Sequence, residues 1–296
     1  MNRRTFIQAG MAGLATMSVS GAYAGGMDKF FMTGSATVDK VSLGKTGLTV
    51  SRIAMGTGTH GGNKESDFTR MGKDSFTKLA HHAYERGITF FDMADSYGSM
   101  PYVAAAKKSF PREKLTLLSK IWTNEDSAPK QETLVQALDR FRKEADTDYL
   151  DIVLMHCMMG GGWSNNRKYY IEGLSKAKQD GIVKTVGVSC HNWDALVEAS
   201  VSPWVDVIMA RINPFGTLMD NTPEAVKEVL GTAQRNGKGI IAMKVFGEGR
   251  HVSDDEREKS IKYVLEEGNI SCMTLGMSTI EQIDDAIERV ARLAQK

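Results

Sequence analysis

The chain has 296 residues, 42% hydrophobic and 25% charged, an ordinary globular composition with length for one large core or two smaller ones. Lys and Arg number 37 against 36 Asp and Glu, a formal net charge of +1, and no basic cluster forms a face, so nucleic acid is not an expected partner. Three cysteines, Cys157, Cys190 and Cys272, are too few and too far apart for a disulfide framework or a zinc pattern, so no metal site is expected.

At the N-terminus, Met1-Asn-Arg3-Arg4-Thr-Phe6-Ile precedes a mildly apolar run from Ala9 to Val19 and then Ala22-Tyr23-Ala24. A charged start, a short apolar core and an Ala-x-Ala site have the form of a secretory signal over residues 1–24. The pair Arg3-Arg4 followed by Phe6 has the twin-arginine form, which implies folded export to the periplasm by the twin-arginine machinery. No stretch is long enough to span a bilayer, so no membrane span is expected. Residues 25–40 lack periodicity and read as a flexible arm. Residues 41–296 show no internal boundary and read as one domain.

Val41 to Val50 reads as a small hairpin turning at Gly44-Lys-Thr-Gly47. From Ser51 onward a short apolar strand, a polar or Gly-rich loop and an amphipathic helix recur about every 30 residues, the pattern of a parallel sheet covered by helices. Eight strands are expected: Arg52 to Met55, Thr89 to Met93, Leu115 to Ser119, Asp151 to His156, Thr185 to Ser189, Asp206 to Arg211, Ile240 to Lys244 and Ser271 to Leu275. A helix after Ser127 carries Leu134, Ala137, Leu138, Phe141 and Ala145 on one face. Thr222-Pro223-Glu224 and Ser253-Asp-Asp-Glu256 read as helix starts, and Gly87, Gly181, Gly237 and Gly268 as helix ends. Eight such units predict an α/β fold closed as a (β/α)8 TIM barrel with a short N-terminal hairpin. An open doubly wound sheet is the alternative, but Gly56-Thr57-Gly58-Thr-His-Gly-Gly62 lacks its Gly-x-Gly-x-x-Gly spacing.

In a barrel the chemistry lies at the C-terminal strand ends. The run Phe90-Phe-Asp92-Met-Ala-Asp95-Ser-Tyr97-Gly98 puts acids where a buried strand has no structural use for them, and Lys120 and His156 stand at the next two strand ends. An acid, a phenol, an amine and an imidazole suit carbonyl reduction. Tyr97 would protonate the alkoxide left by hydride addition, its pKa lowered by the Lys120 ammonium. Asp92 would hold Lys120, and His156 would hydrogen-bond the carbonyl oxygen.

The sequence resembles the aldo-keto reductase family from about Val41 to the C-terminus. The resemblance rests on Leu43-Gly-Lys-Thr-Gly-Leu-Thr-Val-Ser-Arg52, Phe91-Asp-Met-Ala-Asp-Ser-Tyr-Gly98, Leu118-Ser-Lys120, Asp151-Ile-Val-Leu-Met-His156 and Gly187-Val-Ser189. It implies a barrel that reduces small aldehydes or ketones with a nicotinamide cofactor, and the family's catalytic Asp, Tyr, Lys and His fall on Asp92, Tyr97, Lys120 and His156.

The resemblance also implies a cofactor wall formed by Gly56, Thr57 and Gly58 after the first barrel strand, Ser189 and Cys190 after the fifth, and Ser278 and Thr279 after the eighth. The family's nicotinamide-binding Gln aligns with Met209 and its stacking aromatic ring with Met243, while no cation follows the eighth strand at Gly276-Met-Ser-Thr279. The cofactor is therefore expected to be NADP(H) or NAD(H), without a preference. The chain ends just after the eighth helix, so an open mouth is expected, with Trp122 and Trp163 as candidate substrate walls.

Cys157 and Cys190 follow adjacent strand ends, so a disulfide in an oxidising compartment is an alternative to core packing. His81-His82 lies within a helix, where consecutive residues diverge, so no shared metal site is expected. Outside the cytoplasm a reductase would need its cofactor recycled by a redox partner. The competing expectation is a catalytically silent periplasmic barrel that binds a ligand or protein partner.

Overall fold

A computed structural model of the chain describes residues 36–123, 132–266 and 269–294, all within a single unit, Gly34–Lys296. The signal expected over 1–24, most of the arm expected over 25–40, Ser127 and Gly268 lie outside the described residues.

The hairpin foreseen over 41–50 forms from β1 (Lys40–Ser42) and β2 (Thr49–Ser51), antiparallel with Val41 opposite Val50. Its turn passes through Gly44 and Gly47, both at positive φ. At Gly44 a second reason excludes a side chain: a Cβ there would lie 2.4 Å from the Gly239 amide nitrogen.

Eight parallel strands follow: β3 (Ile53–Gly56), β4 (Phe90–Asp92), β5 (Thr116–Trp122), β6 (Leu150–Met158), β7 (Val183–Cys190), β8 (Val207–Arg211), β9 (Gly239–Met243) and β10 (Cys272–Leu275). They pair in chain order, and β10 closes the barrel against β3. Outside them lie α1 (Asp67–Arg70) and α2 (Lys73–Glu85), then α3 (Met100–Ala106), α4 (Leu134–Glu144), α5 (Trp163–Asn166), α6 (Lys168–Gln179), α7 (Trp193–Val201), α8 (Pro223–Arg235), α9 (Asp254–Glu266) and α10 (Ile280–Leu293). This is the expected (β/α)8 barrel. The expected punctuation is also present: Thr222 caps α8 by accepting from Ala225 N–H, and Gly87, Gly181 and Gly237 take the left-handed conformation after α2, α6 and α8.

Alternation along the strands sorts their side chains into two cores. Phe91, Leu117, Val153, Val188, Ile208 and Ile240 face the helices. Ala54, Phe90, Leu118, Ile152, Val207, Ile241 and Cys272 fill the barrel interior, where Leu43 and Val50 of the hairpin join them. The hairpin therefore closes the N-terminal end, with Leu43 fully buried and packed so tightly that a Cβ on Gly239 would collide with it. Among the described residues no helix is long and apolar enough to cross a membrane.

Leu43→Ala is expected to destabilise the protein by about 2–5 kcal/mol, because it leaves a cavity that the rigid barrel floor cannot collapse to fill. The volume-conserving Leu43→Met should cost less than about 1.5 kcal/mol. Urea unfolding checks both, through a shift in midpoint at constant slope.

Candidate functional site

The same alternation brings the sequence candidates together at the C-terminal mouth. Gly56, Asp92, Lys120, His156, Ser189, Met209 and Met243 occupy inward positions, and all seven line one cleft of about 330 Å³ with Tyr97 and Gly58. Asp92 pairs in register with Gly56 on one side and Leu118 on the other, which puts Lys120 one inward step above it.

At the centre is a buried ion pair. Lys120 is 1% exposed and Asp92 5%, and the Lys120 Nζ donates to Asp92 Oδ1 and, at 3.0 Å, to the Met93 carbonyl. The second carboxylate oxygen of Asp92 accepts from Thr274 Oγ1 at 2.8 Å. Burial favours a neutral lysine, but the Asp92 carboxylate outweighs it and Lys120 is held charged, above its ordinary pKa.

Tyr97 sits on the last residue of a three-residue 3-10 turn, Asp95–Tyr97, between β4 and α3. Its ring lies 5.0 Å from Lys120 Nζ, and its hydroxyl lies 3.4 Å from His156 Nε2. On the other side the ring rests on backbone: a Cβ on Gly58 would fall 2.4 Å from Tyr97 Cε2, and one on Gly61 would fall 2.8 Å from Cδ1. Glycine at both positions leaves room for the ring. The expected lowering of the Tyr97 pKa does not occur. Burial pushes the phenol above its ordinary value; Lys120 pulls the other way but loses, since Asp92 adds its own negative charge.

His156 is 7% exposed, and burial together with the Lys120 charge lowers its pKa to about 3, so the imidazole is neutral at ordinary pH. Its Nδ1 has no partner among the described residues. Trp122, 57% exposed, stands edge-on to His156 at 5.6 Å, beside the mouth.

Other candidates are placed elsewhere. Trp163 is 2% exposed, donates its indole N–H to the Ala195 carbonyl and packs on Trp204, so it is no substrate wall. Thr57 is buried beside inward-facing Gly56, its hydroxyl donating to the Asp92 carbonyl at 2.8 Å and meeting Ser99 Oγ at 2.7 Å. Cys190, one residue past inward-facing Ser189, points into the helix-facing core. Ser278 lines the cleft, but its N–H and hydroxyl both donate to Gln282 Oε1, and Thr279 caps α10 through Gln282 N–H.

Cys157, Cys190 and Cys272 are all free. Cys157 turns toward His191, with Sγ 3.8 Å from Nε2, while Cys190 faces the core. His81 and His82 diverge, toward the Ala106 carbonyl and the Asp284 carboxylate, and no metal-binding cluster is found among the described residues.

Sequence reasoning missed Thr274, His191, Lys244 and Glu248, which also line the cleft. Thr274 shares the phase of Cys272 in β10 and was readable from alternation. His191 and Lys244 stand one residue beyond β7 and β9, where no strand period reaches, and Lys244 takes a left-handed backbone conformation with φ of 57°.

A model of the aldo/keto reductase family matches residues 52–296. L-galactose dehydrogenase of Arabidopsis thaliana is 24% identical over 285 residues, which span 85% of this chain and 88% of that protein. Methylglyoxal reductase DkgB of Salmonella typhi is 25% identical over 188 residues, 63% of this chain and 67% of that protein. Among solved structures, the Bombyx mori aldo-keto reductase in complex with NADP superposes with a TM-score of 0.64 at 22% identity, covering 88% of this chain and 92% of that one. It shares the fold.

Lys120→Met should destabilise the fold by about 3–5 kcal/mol, because it strands the Asp92 charge in the barrel. The double variant Asp92→Asn/Lys120→Met should recover most of that loss. Urea unfolding of the two variants checks the order, and equal losses would contradict the ion-pair account.

Proposed function

The chain belongs to the aldo/keto reductase family, and on that premise we propose that it reduces a small aldehyde or ketone with NADPH or NADH, Tyr97 delivering the proton. The observation that carries this reading is the convergence of the Tyr97 hydroxyl and His156 Nε2, 3.4 Å apart, above a charged Lys120. Two donors meet at one point in a cleft, where a carbonyl oxygen would accept from both.

The cleft fits a nicotinamide nucleotide. Met209 and Met243, 1% and 7% exposed, offer an apolar thioether wall suited to a flat ring, and Ser189, His191 and Lys244 supply the polar edge. At the start of α10 the residues satisfy one another, and the Glu281 carboxyl is held below its ordinary pKa by its own backbone N–H and the Thr279 hydroxyl. Among the described residues, Gly276, Ser278 and Gln282 line this end of the cleft and none of them is a cation that would select a 2′-phosphate. When bound, the nicotinamide supplies the hydride.

The chain's own groups do the rest. A neutral His156 with its proton on Nε2 donates to the carbonyl oxygen and fixes its direction. The raised pKa of Tyr97 keeps the phenol protonated, and it is still a stronger acid than the alcohol that forms when it protonates the alkoxide. Lys120 stabilises the phenolate that remains, and Asp92 holds Lys120 charged. The curated relatives act on methylglyoxal and on a sugar, and a mouth walled by Trp122 suits such small carbonyl compounds.

Residues 1–24 are part of the same reading, as a twin-arginine signal that delivers the folded barrel to the periplasm. Arg3-Arg4, Phe6 and Ala22-Tyr23-Ala24 support it. There the enzyme would depend on a redox partner to recycle its nucleotide.

Tyr97→Phe should abolish methylglyoxal reduction, while NADPH or NADH still quenches tryptophan fluorescence with unchanged affinity. If neither nucleotide bound at millimolar concentration, the reading would fail. For the export half, Arg3→Lys/Arg4→Lys should leave the full-length precursor in the cytoplasmic fraction, and processed protein in the periplasm of that variant would refute the twin-arginine route.

A further inference from the structure

Asp95 is the acid of the Phe90 to Gly98 run that the catalytic group does not use. It is half-buried, does not line the cleft and makes no hydrogen bond to a reacting group, although its charge is felt at His156. Its place in the chain is nevertheless two residues before Tyr97, at the first position of the 3-10 turn that carries the phenol.

That turn has little backbone support of its own. Tyr97 N–H donates to the Ala94 carbonyl at 3.1 Å and Gly98 N–H to the Asp95 carbonyl at 3.4 Å, and a 3-10 turn held by two such bonds is a weak platform for a ring. The side chain of Asp95 supplies what the backbone lacks. Its two oxygens accept a fork from Arg140 of α4, at 2.7 Å from Nη1 and 3.1 Å from Nη2. Lys64 Nζ donates to the same carboxylate, and Lys64 N–H donates to the Ser96 carbonyl at 2.8 Å, so the loop before α1 grips the turn at two successive residues.

Arg140 is fixed in turn. Glu132 accepts from its Nε at 2.9 Å and from Nη2 at 2.7 Å, and Glu144 accepts from Nη1 at 3.2 Å. A guanidinium held by three carboxylates is planar, rigid and always charged, so it places the Asp95 carboxylate in both distance and angle. Burial alone would lift the Asp95 pKa, but Arg140 and Lys64 hold it below the usual carboxylate range, so the clamp stays ionised at neutral pH.

We infer that Asp95 and Arg140 are positioning residues for the reduction, clamping the turn so that the Tyr97 ring stays seated on Gly58 and Gly61 with its hydroxyl beside His156. The inference rests on the reading of Tyr97 as the acid. Ring and hydroxyl are bounded by Gly58, Gly61, Lys120 and His156, yet none of these contacts stops the turn itself from drifting along the mouth. Drift of about 1 Å is enough to cost on the order of a hundredfold in rate.

The test uses the full-length enzyme with NADPH or NADH, and with methylglyoxal as the probe carbonyl. Asp95→Asn, which keeps the shape, and Arg140→Ala should each lower kcat roughly 10–100-fold, while KM and nucleotide affinity by fluorescence quenching stay near wild type. The double variant should be no slower than the slower single, because both changes break one clamp. Arg140→Lys, which restores the charge without the fork, should recover only part of the rate.

Wild-type kcat in folded Asp95→Asn and Arg140→Ala would overturn the inference. So would losses that multiply in the double variant, or losses carried by KM and nucleotide affinity. Tyr97→Phe separates the two levels: if it stays active, the acid assignment itself has failed; if it is inactive and the clamp variants are fast, only the positioning role has failed.

Discussion

The Asp92–Lys120 pair is the constraint to which the rest of the site is built. Two opposite charges buried inside a barrel give up much of their attraction to lost hydration, and an apolar pair of the same volume would often make an equally or more stable protein. The pair persists because both carboxylate oxygens have a donor and the ammonium has two acceptors: Thr274 on the far oxygen, the Met93 carbonyl on the ammonium, and the Asp92 Oδ1 contact between them. Three strands, β10, β4 and β5, are tied together by it. Its product is an ammonium aimed at one face of the Tyr97 ring, in a place where water does not screen it.

Around that pair the barrel divides its labour by height. The lower interior is apolar and closed by Leu43 and Val50, and the upper layer carries Asp92, Lys120, His156 and Ser189. His156 shows what this layering does to chemistry. Burial and the nearby positive charge keep it neutral, which suits the proposed role of a hydrogen-bond donor beside a phenol that delivers the proton. The same burial that neutralises the imidazole raises the phenol, and both shifts suit one direction of proton flow.

The barrel was legible in the sequence because its two periods were clean. Eight apolar runs met the closed ring within a few residues at each end, and glycines at 87, 181 and 237 marked helix ends that the backbone confirms. The convergence of Asp92, Tyr97, Lys120 and His156, the four residues proposed for catalysis, was legible because an ionisable side chain on a buried strand is too costly to keep unless something uses it. What could not be read was phase at strand ends. Ser189 faces the cleft and Cys190 faces the helices, Gly56 faces the cleft and Thr57 is buried beside it, and a one-residue step separates each pair. Trp163 illustrates a second limit, since a Gly-rich loop does not reveal whether its aromatic ring folds inward or outward. The direction of the Tyr97 pKa escaped the sequence for a third reason: a neighbouring cation is visible there, but the depth of burial opposing it is not.

The hairpin under the barrel has a consequence for access. With Leu43 and Val50 stoppering the lower end, a ligand of the cleft comes and goes, among the described residues, by the C-terminal mouth. A closed floor thus makes that mouth entrance and exit alike, so a change in the loops around it acts on arrival and departure together.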